Sequence, residues 1–190
     1  MQNIFKTIIK NTPYGPIALL WSYPDKGLQI IKVIISKPGS PADKKITALF
    51  PEIISSSCTA VDNICFKIEA YLSGENINFS LELPQLQNCT IFQQTVLRAN
   101  HTILRGKVCS YSFLATRIEN PEASRAIGTA LATNPFPILI PCHRVIRSDR
   151  SLGGFGGGLK MKRTLLEMEG VSFDKTGRVY RHHLDQVLTN

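Results

Sequence analysis

One short segment of the chain gathers residue types that can do covalent chemistry: Pro141-Cys142-His143-Arg144. A thiol is a good nucleophile only as thiolate, so its surroundings must favour negative charge. Pro141 is a frequent opener of a helical turn, and backbone N–H groups at such a start lower a thiol's pKa. His143 adds a proton acceptor and Arg144 a fixed positive charge. A cysteine with a histidine as base is the general arrangement of an activated sulfur nucleophile, although sequence neighbours need a bridging water or a third residue to cooperate. Three other readings stand beside it on these residues alone: a buried structural cysteine, a protease-like Cys/His pair and an isolated metal ligand. A protease needs an orienting group and an oxyanion hole, which spacing does not identify. Zinc needs further ligands at its own spacing, and the sequence has none.

The rest of the cysteine inventory supplies contrast. Cys58, Cys65, Cys89, Cys109 and Cys142 are odd in number and form no C-x-x-C pair, so neither a disulfide framework nor a cysteine-rich zinc site is expected. Cys58 and Cys65 lie in an apolar-periodic stretch and read as small buried residues. Downstream of Cys142, Gly153-Gly-Phe155-Gly-Gly-Gly158 fails the G-x-G-x-x-G test, because a start at Gly154 meets Leu159 and a start at Gly153 meets Phe155. No G-K-[ST] follows. Five glycines around one aromatic ring read either as a flexible loop or as a pliable wall whose backbone can approach a flat ligand.

Positioning such a thiol is the business of the surrounding elements. Thr7–Ile9, Gly15–Ser22 and Leu28–Ser36 read as strands of a small sheet, residues 37–51 as a loop, and Val61, Ile64, Cys65, Ile68 and Leu72 as one face of a helix ending at Gly74. Asn76–Leu83 alternates like a strand. Pro84–Cys89 reads as a linker, which divides the chain into domains 1–88 and 89–190. Ile91–Leu104 is expected to be helical, Ser110 to cap a helix through Arg117, and Asn120-Pro121 to open another running to about Thr133. Two short helices about a tight turn fit a helix-turn-helix or an αα-hairpin packed for structural reasons.

Charge adds a direction. The net charge is +8. Residues 1–90 carry eight Lys/Arg against seven Asp/Glu, and residues 91–190 carry fourteen against seven. A basic half that also holds the candidate thiol points toward a polyanion, with nucleic acid foremost. No apolar run reaches the roughly 18 residues needed to cross a bilayer, and the first ten residues lack a secretory h-region, so a soluble protein with no membrane partner is expected.

With these residues in place, the chain resembles the O6-alkylguanine-DNA alkyltransferases, strongly over residues 91–170 and more loosely over 1–90. The resemblance rests on Asn134-Pro-x-Pro-Ile-Leu-Ile-Pro-Cys142-His-Arg-Val145, on the glycine-rich loop and Leu165-Leu-Glu-Met-Glu-Gly170 at family spacing, and on Phe92-Gln93, Ser110-Tyr111 and Ser124-Arg125-Ala126. It implies an α/β (α+β) fold: a ribonuclease-H-like N-terminal sheet with a helix, then a C-terminal helical domain with a helix-turn-helix. The implied function is direct reversal of DNA damage, an irreversible single-turnover transfer of an alkyl group from O6-alkylguanine, with O4-alkylthymine as a second candidate, onto the protein itself. Cys142 would be the acceptor, His143 its base through a water, Glu169 the group orienting His143, and Asn134 a brace for the preceding turn. Ser110, Tyr111, Arg125 and Ala126 would meet DNA, Tyr111 rotating the damaged nucleotide and Arg125 filling the space it leaves. Pro137, Val145, Phe155, Gly156 and Gly157 would line the alkylguanine pocket. The partner would be double-stranded DNA carrying that lesion, with no cofactor or metal and a monomeric protein, cytoplasmic in a prokaryote and nuclear in a eukaryote.

Departures from the family pattern fall at the pocket. Phe155 stands where many members have tyrosine and Gly156 where serine is frequent, so fewer hydrogen bonds to guanine are expected. Leu97-Arg98 replaces the usual apolar-tryptophan pair, and the N-terminal zinc ligands of some members are missing. Two rival functions remain: a DNA-damage binder that flips the base without reacting, disfavoured because such proteins carry tryptophan where this chain has Cys142, and a thiol hydrolase, which ignores the basic half.

Overall fold

The computed structural model describes residues 3–25 and 27–185. It divides into two compact units, one made of the chain up to Leu86 together with Pro135–Leu139, the other of Gln87–Asn134 and the chain from Ile140 onward.

In the first unit, β1 (Ile4–Ile9), β2 (Ile17–Ser22) and β3 (Gln29–Ile35) form an antiparallel sheet in sequence order. All six residues of the central β2 are buried, so its run Ile17-Ala-Leu-Leu-Trp21 must be covered on both faces. Helix α1 (Ala42–Leu49) covers one, where Ala42 and Ile46, a turn apart, pack with Ala18, Leu20 and Ile34. Helix α2 (Thr59–Leu72) buries Val61, Ile64 and Ile68 and lies against β1.

Two local expectations fail here. Residues 37–51, expected as a loop, contain α1. Its start is served by Ser36, whose hydroxyl accepts from the Ala42 N–H at 3.0 Å, six residues away and outside any adjacent capping pattern. Asn76–Leu83 is not a strand. The chain makes one backbone bridge to β3, where the Ile30 N–H donates to Leu83 O (2.7 Å) and the Gln85 N–H to Ile30 O (2.9 Å), and the Gln29 side chain donates to Glu82 O (2.9 Å). This is an isolated parallel bridge, Ile30 opposite Pro84, and no ladder continues from it. The alternation there reflects packing instead: Phe79 is buried edge-on against Tyr71, centroids 6.0 Å apart.

The segment Pro135–Leu139 belongs to this same unit, Pro135 O accepting from the Val33 N–H at 2.8 Å. Within it Ile138 takes φ 74°, a left-handed conformation costly for a β-branched side chain, and is held there while buried.

The second unit is helical: α3 (Ile91–His101), α4 (Tyr111–Arg117), α5 (Ser124–Ala132) and α6 (Leu159–Met168). Thr90 and Ser110 cap α3 and α4 through their hydroxyls, which accept from Gln93 N and Phe113 N. Helices α4 and α5 meet through a 3-10 turn at Pro121–Ala123, and α3 packs behind both. Two short strands, β4 (Cys109–Ser110) and β5 (Val145–Ile146), pair in parallel, Cys109 opposite Val145. Around them Val108, Ile146, Leu166, Val171 and Val179 form a core, closed by the antiparallel turn that pairs Phe173 with Val179. The fold is thus mixed α/β, as the sequence led us to expect. Among the described residues no helix is long and apolar enough to cross a membrane.

Candidate active site

Strand pairing brings the chemistry together. Because β4 runs beside β5, the start of α4 at Tyr111 lies next to the segment that leaves the Cys142-His143-Arg144 turn. That 3-10 turn is fixed from three directions. The Cys142 N–H donates to Ile140 O (2.8 Å), the Asn134 side-chain amide donates to the same carbonyl (3.2 Å), and Asn100 on α3 donates to Pro141 O (3.2 Å).

The Cys142 thiol is buried, and burial pushes its pKa up, since an anion loses its water. Against that act a hydrogen bond from the Asn134 side chain, the positive charge of Lys162 and the backbone of Cys142 itself. The local argument from Arg144 does not hold. Its Nε donates to both Glu169 carboxylate oxygens (3.2 and 3.0 Å), Nη2 to Oε1 (2.7 Å), and Nη1 to Ile103 O (2.6 Å). The guanidinium is committed to Glu169, and the positive charge felt by the sulfur comes from Lys162.

His143 is fully buried, with Nε2 against Glu169 Oε1 at 3.1 Å. Glu169 ends α6, where hydrogen bonds and charge from His143 and Arg144 overcome its burial and hold the carboxyl far below the usual range. An ionised carboxylate only accepts, so His143 Nε2 carries the proton and its lone pair sits on Nδ1. Desolvation depresses the His143 pKa despite the raising effect of Glu169, so the ring is neutral near pH 7. A neutral imidazole of fixed tautomer, one residue along the chain from a thiol, can take the thiol proton through a bridging water.

Tyr111 stands half-buried at the first turn of α4. Its phenol is raised first by burial and then by the Cys142 charge, and lowered by Arg147. Gly153, at φ 66°, lets the loop pass against that ring: a Cβ there would lie 3.1 Å from Tyr111 Oη. Phe155 meets the His143 ring edge-on at 6.1 Å, Gly157 is buried and Gly156 exposed. Val145 is buried on β5, with its carbonyl accepting from Lys162 Nζ. Pro137 is buried within Pro135–Leu139, the segment that packs in the first unit. Ser110 caps α4, while Arg125 and Ala126 are exposed on α5. A cleft of about 330 Å³ beside α4 is bordered by Ser110, Ser112, Phe113, Thr116, Arg147, Ser148, Leu184 and Asp185. No group of three or more His, Cys, Asp or Glu among the described residues could hold a metal ion.

Cys142, His143 and Glu169 thus lie together, joined by Asn134, Tyr111 and Phe155, while Arg125 and Ala126 stand apart on an exposed helix face. Sequence reasoning missed Lys162, Asn100 and Arg147. A signal for Lys162 existed: Met161, Leu165 and Leu166 mark the buried face of α6, and residue 162 falls within that stripe.

Residues 91–171 match the family described as "6-O-methylguanine DNA methyltransferase, DNA binding domain". A methylated-DNA–protein-cysteine methyltransferase of Methanothermobacter thermautotrophicus is 43% identical over 120 residues, covering 63% of this chain and 67% of that protein. The Rattus norvegicus protein of the same name is 34% identical over 181 residues, covering 87% and 82%. Alignments with several bacterial relatives of that name span only 60–61% of their length. A crystal structure of Mycobacterium tuberculosis OGT in complex with DNA superposes with a TM-score of 0.67 at 32% identity, covering 87% of this chain and 92% of that one.

Proposed function

This chain belongs to the methylated-DNA–protein-cysteine methyltransferase family, and from that membership we propose that Cys142 removes alkyl groups from O6-alkylguanine in double-stranded DNA and keeps them. The observation that carries the assignment to this thiol is the buried Glu169–His143 pair, which fixes a neutral base of one tautomer at the residue that follows Cys142 in the chain. In the step itself the thiol proton passes through a bridging water to His143 and sulfur attacks the alkyl carbon. The C–O6 bond breaks with its electron pair going to guanine, which takes the proton from His143. A thioether remains on Cys142. It has no leaving group that water can displace, so each molecule acts once.

The target atom is hidden in a base stack, so the nucleotide must be extruded at a cost of a few kcal/mol. Arg125, exposed on the second helix of the helix-turn-helix, fills the vacated space, with Ala126 beside it against the duplex. Tyr111 at the start of α4 turns the nucleotide, and the hydroxyls and Arg147 of the cleft can meet phosphates, while Asp185 on its border is paired with Arg117. Val145, Phe155, Gly156 and Gly157 line the base pocket. Phe155 offers a ring face without a hydroxyl. The second unit carries both DNA binding and chemistry, and the protein works as a monomer.

The decisive test is intact-protein mass after incubation with a duplex bearing one O6-methylguanine. A gain of one methyl group per chain supports transfer; tight binding with unchanged mass supports a damage sensor. Arg125→Ala is expected to slow repair in the duplex roughly 30-fold, the equivalent of about 2 kcal/mol of uncompensated unstacking. Its reaction with free O6-benzylguanine should stay within about twofold, because no stack is opened. Equal slowing in both assays would remove Arg125 from that role.

A further inference from the structure

Lys162 is left unexplained by the reaction as written. Lysine is almost never fully buried unless paired, yet Lys162 is 0% exposed on α6, on the face shared with Met161, Leu165 and Leu166. Its ammonium donates to Val145 O at 2.6 Å and Gly154 O at 3.2 Å. These are neutral partners from two separate segments: the strand that follows the Cys142 turn, and the glycine-rich loop. Among the described residues no carboxylate lies within ion-pair distance of it.

A buried ammonium with only carbonyls for company is poorly compensated. The ionisable groups that bear on it favour one answer. Arg147 repels its charge, and the Cys142 sulfur, when ionised, is the anion that supports it. Tyr111 and His143 complete the set around the sulfur. The phenol keeps its proton, and the imidazole is neutral with its own carboxylate already clamped by Arg144. Resting on the reading of Cys142 as acceptor, we infer that Lys162 is a positioning residue with two linked tasks: its ammonium is the counter-ion of the Cys142 thiolate, and its hydrogen bonds to Val145 and Gly154 tie the loop to the strand that forms the pocket wall. The charge that readies the sulfur and the clamp that shapes the pocket are one side chain. Burial lowers the lysine pKa to about 8, so the ammonium persists near neutral pH while remaining responsive to the sulfur's charge.

The test reads ionisation directly and needs no DNA. The rate of Cys142 alkylation by iodoacetamide is followed against pH in the whole protein, with modification at Cys142 verified by peptide mass. Lys162→Met is expected to move the midpoint upward by about one unit, a roughly tenfold loss of thiolate at pH 7, with rates converging at high pH. Lys162→Arg, which keeps the charge, should restore much of the shift. A Met variant that loses stability but keeps the wild-type midpoint would make Lys162 a structural clamp only and overturn the counter-ion role. Should the Met variant fold poorly, the wild-type protein answers by NMR of its lysine side-chain carbons. Once Cys142 is benzylated the thiolate is gone, so the Lys162 titration must move down; an unmoved titration also overturns the proposal. These readouts are independent of repair. An absent mass gain with alkylated DNA would refute the acceptor reading, while the iodoacetamide profile would still report whether Lys162 and Cys142 are coupled.

Discussion

Cys142→Ala is expected to abolish methyl uptake completely, with no residual gain in intact mass after long incubation with O6-methylguanine duplex. Removal of a nucleophile usually leaves some rate when another group can substitute, and Cys65, Cys89 and Cys109 are not ready to do so. Cys65 and Cys109 are each pushed up to about 12, chiefly by burial, and Cys89 is raised as well. None of these thiols has an amide donor and an ammonium working against its burial, as Asn134 and Lys162 do for Cys142. Cys142→Ser should be equally inert, because a hydroxyl is far less acidic than a thiol and the same neutral histidine cannot ionise it appreciably. Binding is a separate matter. The exposed face of α5 and the cleft beside α4 do not depend on the sulfur, so Cys142→Ala should hold damaged duplex about as well as the wild type. Its affinity should fall with added salt, as phosphate contacts require. Methyl transfer by Cys142→Ala to any other residue, seen by peptide mapping, would remove Cys142 from the role of sole acceptor.

What the sequence allowed us to read, and what it hid, divides along physical lines. The cap of α4, Ser110, was legible because a hydroxyl at the N-cap acts within three residues. Helix α1 was hidden because its supporting hydroxyl, Ser36, sits six residues before the first amide it serves. The apparent strand at 76–83 misled because alternation records one-sided packing, which a segment can show with only one bridge to a neighbouring strand. At the site, the thiol and its histidine were visible as neighbours. The direction of charge was not: Arg144 is adjacent to His143 in sequence, yet its guanidinium turns to Glu169, 25 residues away, and the ammonium that faces the sulfur is 20 residues downstream. Sequence adjacency gives residue type, whereas partner choice is settled by tertiary packing, and the electrostatics of a buried group follow the partner.

Glu169→Ala is expected to have the largest effect on stability, because it strands two groups at once. Arg144 and His143 both converge on this carboxylate, whose side chain is 0% exposed, at 2.7 and 3.1 Å. Removing one member of a buried charge pair commonly costs about 3–5 kcal/mol, since the remaining charge keeps its desolvation penalty without its partner. Urea unfolding should register a loss of that order, with Glu169→Gln intermediate because an amide oxygen can accept one of the Arg144 bonds but brings no charge. Activity should fall on the order of 10²-fold even in molecules that remain folded, since His143 then has no acceptor to keep its proton on Nε2. The pH dependence gives an independent signature. The folded Glu169 carboxyl lies far below its ordinary 4.5, so its contribution is fully present above that value and is lost as pH falls below it. His143 is depressed below its ordinary 6.5, so the unfolded chain binds a proton there before the folded one, and stability also declines as pH drops through 6.5. Wild-type stability should therefore fall in two stages between pH 7 and pH 3. In Glu169→Gln the lower stage should shrink. If both stages survive that substitution unchanged, the carboxylate is not what holds the buried cluster together, and the orienting role of Glu169 goes with it.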